Sequence, residues 1–206
     1  MKRRHILQIA TTSLLLTACD GGSPSRSGGV PVPGPGQWVA FGGREPAINN
    51  GSFAFPGPSG VAGYFYTKPP LALKHGQTVT LTYNVDGNSP VWQQSPHNPQ
   101  DINPPTMHLF LWRSGDDLTC NGPMASYRFF AVIAPLKLGD NQTITITLDP
   151  SLWTNCYGKH DAAGFTGALN NAMGIGFTFG GQYFAGHGIY VQSGSDTFTV
   201  KGLSIQ

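Results

Sequence analysis

Glutamate is almost missing from this chain: Glu45 is the sole one among 206 residues. Glycosidases on β-sandwich folds usually work through a pair of carboxylates, commonly glutamates, so the shortage argues against that chemistry. The aspartates that follow Asp20 are Asp86, Asp101, Asp116, Asp117, Asp140, Asp149, Asp161 and Asp196. Asp20 and four of these eight stand beside Gly, Asn or Pro, where a short acid caps local backbone. The neighbours Asp116 and Asp117, in Ser-Gly-Asp-Asp, read as a solvated corner. No Gly-x-Ser-x-Gly elbow is present for serine chemistry. The histidines His75, His97, His108, His160 and His187 lack any H-x-H or H-E-x-x-H spacing for a metal. Charge is scarce at 11% of residues, which leaves no electrostatic footprint for nucleic acid. No repeat recurs at a fixed period, which argues against a propeller or β-helix. The balance leans away from an enzyme.

The N-terminus holds the chain's strongest signal. Lys2, Arg3 and Arg4 precede a mostly apolar stretch over residues 6–16, centred on Leu14, Leu15 and Leu16. Thr11, Thr12 and Ser13 make it too short and too polar for a spanning helix, which needs about 20 apolar residues. Leu16, Thr17, Ala18 and Cys19 then close the segment. This leader resembles the lipobox of bacterial lipoproteins, and the resemblance implies cleavage before Cys19, lipidation of its thiol and acylation of the new amine. More than one acyl chain makes such anchoring stable. Asp20 resembles the enteric signal for retention in the inner membrane; other bacterial groups sort differently, so the outer membrane stays open. The expectation is a lipid-anchored protein on the periplasmic side.

Residues 1–18 carry three of the 12 Lys and Arg and none of the 10 acids, so the mature chain has nine bases against ten acids, a net −1. Its remaining cysteines, Cys120 and Cys156, form an even pair in an oxidising compartment and predict a disulfide. Closing a loop of about 35 residues contributes roughly 3–4 kcal/mol. Residues 19–37 are Gly, Pro and Ser with almost nothing apolar to bury, a tether spanning about 20–25 Å as a flexible coil. Residues 38–206 suit one domain with a full core.

Hydrophobic period in that domain is two. Val79, Leu81, Tyr83 and Val85 alternate with Thr78, Thr80, Thr82 and Asn84; Ile144, Ile146 and Leu148 alternate with Thr143, Thr145 and Thr147. Each predicts a strand with one buried face and one threonine-lined face towards water. Residues 107–113 and 128–134 are apolar on both faces, as central strands are. Strands are also expected at 38–42, 52–55, 64–68, 174–181, 188–192 and 196–205. The last changes phase at Gly202, where a β-bulge absorbs the extra residue. Only 161–172 lacks alternation and reads as a short helix. Nine or ten strands with at most one short helix predict an all-β antiparallel sandwich.

Leu148-Asp149-Pro150-Ser151-Leu152-Trp153, then Ile175-Gly176-Phe177-Thr178-Phe179-Gly180-Gly181, then a closing strand over 197–205, resemble the last third of jelly-roll carbohydrate-binding modules. That resemblance covers about 60 residues. It implies a jelly roll, a non-catalytic sugar-binding function and, in some members, a structural calcium; no other cofactor is implied.

Sugars stack their C–H faces on aromatic rings while amides and acids take the hydroxyls. Residues 86–106 have that composition and read as a long, proline-stiffened loop: Trp92 beside Gln93 and Gln94, then His97, Asn98 and Asp101. His187, flanked by Gly186 and Gly188, marks a second point where the backbone passes close to a packed neighbour or a ligand. Trp92 has two readings, an exposed stacking platform or a lid over the core. Trp153 reads as a core plug, Trp38 as a pin for the first strand, and Trp112 as packing on the second sheet face. The leading expectation is a lipid-tethered module that recognises a glycan or cell-envelope component. The alternatives are an assembly lipoprotein contacting another envelope protein and, last, a polysaccharide-active enzyme.

Overall fold

The computed structural model describes residues 37–41, 45–69, 72–94, 104–117, 119–181 and 185–206. Cys19 and nearly all of the tether lie outside the described residues, as do His97, Asn98 and Asp101. Ten strands are described: β1 (Val39–Phe41), β2 (Ser52–Phe53), β3 (Tyr64–Thr67), β4 (Thr78–Gln94), β5 (Thr106–Arg113), β6 (Arg128–Pro135), β7 (Gly139–Thr147), β8 (Thr154–Asn155), β9 (Ala172–Gly180) and β10 (Ile189–Ile205). One α-helix, α1 (Ala162–Asn170), stands between β8 and β9. No helix among the described residues is long and apolar enough to cross a membrane.

The strands form two antiparallel sheets, ordered β1-β3-β9-β5-β6-β8 and β2-β10-β4-β7. Without the edge strands β1 and β8, the chain deals eight strands to the two sheets in jelly-roll order. Alternation decides the faces. Val79, Leu81, Tyr83 and Val85 are buried, while Thr78, Thr80 and Thr82 face outward opposite Thr147, Thr145 and Thr143 of β7. Between the sheets lies an aromatic core in which Phe53 stacks on Phe65 at 4.2 Å and on Phe198 at 5.3 Å, and Phe177 stacks on Phe198 at 5.0 Å. Trp38 packs on Phe177, and Trp153 is fully buried with its Nε1 donating to the Thr147 carbonyl.

β10 carries the expected bulge between Val200 and Gly202. The expected loop over 86–106 is corrected for residues 86–94. β4 continues through Gln94 and pairs with β10 from Asp196 back to Ile189. Two further register shifts, between Val191 and Ser193 and between Ser193 and Ser195, break the alternation that marks a strand. Pro90, which has no N–H for the ladder, lies opposite the second shift.

α1 begins where expected. Asp161 is its N-cap and accepts from the Gly164 N–H at 2.9 Å. A Cβ at Gly164 would meet the Asp161 carboxylate and Ser126, so glycine is needed there. Phe165, Ala168 and Leu169 are buried, with Phe165 against Phe129 and Trp153. The Ser126 hydroxyl and then the Gly164 N–H hold the Asp161 carboxyl below its ordinary range. A lowered carboxyl stabilises the fold above its unfolded pKa, and that contribution is lost as pH falls through the folded value. Asp161→Ala is expected to cost about 1 kcal/mol at neutral pH. The gap from the parent, read from urea melts across pH, should close in acid; a gap independent of pH would remove the cap's charge from the account.

Candidate cleft on the outer face of the six-stranded sheet

The outer face of the six-stranded sheet is covered instead of wetted. Phe41 of β1 opposes Tyr64 of β3, and Tyr66 shares this face with Phe110 and Trp112 of β5 and with Arg128 and Phe130 of β6. Phe110, Arg128 and Phe130 are buried although they point away from the main core. β9 makes room for them with alternate glycines. A Cβ at Gly174 would run into the Trp112 indole nitrogen and the Tyr66 ring, and one at Gly176 into the backbone of Phe65 and Tyr66.

Arg128 organises this layer. Its Nε lies 2.7 Å from Asp116 Oδ2, with both side chains essentially out of solvent. Nη1 donates to the Tyr64 hydroxyl at 3.0 Å, and Nη2 to Cys120 Sγ at 3.0 Å. The solvated-corner reading of Asp116 is therefore corrected: it is a buried counter-ion, while exposed Asp117 accepts from the Thr119 N–H and hydroxyl. Burial pushes the Tyr64 hydroxyl pKa up, and the Arg128 charge partly opposes the shift. With its guanidinium engaged on three sides, Arg128 is an anchor for the layer.

Beside it opens a cleft of about 480 Å³. Phe41, Tyr64 and Phe130 supply aromatic wall, Glu45 and Thr119 polar groups, and the Cys120–Cys156 disulfide one side. The expected bond is present, with Cα atoms 6.0 Å apart. The last wall is the turn at Ala185, Gly186 and His187. Gly186 has φ +84°, and a Cβ on it would overlap the Tyr64 hydroxyl; one on Gly188, at φ +81°, would overlap Val61 and Ala62. The close neighbours that the two glycines announced are thus packed protein, and His187 is left exposed at the mouth. Comparison with protein-family models, curated proteins and solved structures returned no match.

Of the expected site residues that are described, Trp92, Gln93 and Gln94 do not line this cleft. Trp92 lies in β4, half-buried, with its ring 6.3 Å from Phe55 and its Nε1 donating to Asp196 Oδ2. Of its two readings the inward one describes its placement. Asp196 also accepts from the Phe55 N–H at 2.9 Å, and burial nonetheless pushes its carboxyl up. Gln93 pairs side chain to side chain with Gln192 across the strands, and Gln94 is half-buried at the end of β4. The described histidines His75, His108, His160 and His187 are dispersed. His108 is buried beside Thr106 and the Gly181 carbonyl, and His160 Nδ1 donates to the Trp153 carbonyl. Among the described residues no three His, Cys, Asp or Glu side chains are grouped as a metal ion requires.

Sequence reasoning missed Glu45, Tyr64, Phe130, Asp116 and Arg128 as a group. One signal was present: Gly174 and Gly176 two apart in a central strand, which puts both on one face and leaves space there for large neighbours.

Proposed function

We propose that the protein is a lipid-anchored extracytoplasmic binding module, cleaved before Cys19, that holds a glycan or other cell-envelope component in the cleft beside Tyr64 without turning it over. The observation that carries the reading is the cleft's composition. Aromatic faces at Phe41, Tyr64 and Phe130 stand next to hydrogen-bonding groups at Glu45, Thr119 and His187. Ring faces take the apolar side of a sugar, and a few placed polar groups orient it. The disulfide and the Arg128 bonds hold the walls before a ligand arrives, which lowers the ordering cost of binding.

The non-catalytic part rests on the acids. Among the described residues lining the cleft Glu45 is the one acid, and Asp116, whose charge also acts on Tyr64, is committed to Arg128. A two-carboxylate hydrolysis mechanism needs one carboxyl as acid and the other as base or nucleophile. Jelly-roll strand order agrees with the resemblance to carbohydrate-binding modules, although fold alone is a weak warrant for function. The lipobox residues Leu16, Thr17, Ala18 and Cys19 and the Gly/Pro/Ser tether support display of the domain away from a lipid surface.

A glycan microarray probed with the exported protein tests this. Retention of a glycan class, weakened at least about tenfold by Glu45→Ala or His187→Ala with an unchanged melting curve, is the expected result. Retention that both variants leave untouched would move the site elsewhere. If no glycan is retained and an envelope protein co-purifies from detergent extracts, the assembly reading replaces this one.

A further inference from the structure

The disulfide that walls the cleft is chemically lopsided. Arg128 Nη2 donates to Cys120 Sγ at 3.0 Å, whereas among the described residues no hydrogen bond is made to Cys156 Sγ. Both cysteines line the cleft and are partly exposed, so a small solute in the cleft reaches them. Cys120 also holds a left-handed backbone, φ +58°, which a non-glycine residue adopts at a cost and keeps only while its surroundings impose it.

We propose that Cys120–Cys156 is a thiol-exchange site of fixed polarity, in which a small-molecule thiol of the size of cysteine or glutathione is taken up on Cys156 while Cys120 leaves. The incoming thiolate attacks Cys156 Sγ in line with the S–S bond. That bond breaks, its electron pair goes to Cys120 Sγ, and a mixed disulfide remains on Cys156. The proton of the incoming thiol passes to solvent, from which Cys120 recovers one when it is later protonated. Which sulfur leaves is governed by which thiolate is better stabilised. A disulfide sulfur is a weak acceptor, but a thiolate is a full anion, so the Arg128 contact strengthens into a hydrogen-bonded ion pair as the charge appears. Asp116 takes Nε and leaves Nη2 to the sulfur, so the guanidinium serves both anions at once. Release also frees Cys120 from its left-handed conformation. The adduct on Cys156 projects into the cleft, so thiol exchange would occlude the cavity.

Detergent-solubilised full-length protein, disulfide intact, is incubated with reduced glutathione and quenched with iodoacetamide, and its tryptic peptides are read by mass spectrometry. Arg113, Arg128, Lys137 and Lys159 place the two cysteines on separate peptides. Glutathione on Cys156 with alkylated Cys120 should exceed the reverse pair by about tenfold or more. In urea the two products should approach parity, because the bias belongs to the folded contact. Arg128→Lys should also shrink the excess; should that variant fail to fold, the parent protein's product ratio still decides. An even or reversed ratio in the folded parent, a bias that survives urea, or no adduct at all would overturn the proposal.

Discussion

Arg128→Ala is expected to lower the melting temperature of the domain by roughly 10 °C. Arg128 is 3% exposed, and the Asp116 side chain it neutralises is fully out of solvent. Removing one member of such a pair strands the other charge in a medium that solvates it badly, which costs about 3–5 kcal/mol. In a domain of this length each kcal/mol moves the midpoint by about 2–4 °C. The Tyr64 hydroxyl loses its donor in the same substitution, and the aromatic layer over β5 and β6 loses the group that joins it to the Cys120 turn. Replacing both partners at once by Arg128→Met and Asp116→Leu should recover much of the loss, since no charge is then left buried. Asp117→Ala, one residue along the chain, touches only the exposed turn at Thr119 and should move the midpoint far less. Calorimetry on the four proteins gives the comparison. A loss below about 1 kcal/mol for Arg128→Ala would mean that Asp116 reaches water when its partner is gone.

Trp92→Ala should cost about 3 kcal/mol of folding free energy, and a urea melt read by circular dichroism measures it. Complete burial of a tryptophan sets a cost of about 3–5 kcal/mol for truncation, and the half-burial of Trp92 lowers its share. Loss of the indole N–H adds to it, because Asp196 is a buried residue whose carboxylate would keep only the Phe55 amide as donor among the described residues. Trp92→Phe separates the two parts: the ring contact with Phe55 is largely kept, and the remaining deficit of about 1–2 kcal/mol reports the hydrogen bond. A loss below about 1 kcal/mol for Trp92→Ala would place the ring in solvent and return it to the list of ligand platforms.

Trp92 also marks the limit of pattern reading. A half-buried strand announces itself because each residue's face is set by the pleat, so neighbours two apart suffice to read it. Val79 to Val85, Thr143 to Thr147 and even the Gly202 bulge were legible on that basis. From Asp86 to Gln94 the partner strand lies about a hundred residues away and carries two more register shifts, so no local period survives. The Trp92–Asp196 bond spans 104 residues of sequence and has no trace in either segment alone.

The division follows the range of the forces. Alternation, the cap at Asp161 and the even cysteine pair are local or compositional, and the amino-acid sequence by itself determined an all-β sandwich with one short helix and one cross-link. Burial of a charge depends on what the rest of the chain brings alongside it. Asp116 and Asp117 are chemically identical neighbours, yet β6 delivers Arg128 to the first and leaves the second in water. In the same way Glu45, Tyr64, Cys120 and His187 come from four distant segments, and only the jelly-roll path, with the space left by Gly174 and Gly186, sets them around one cleft.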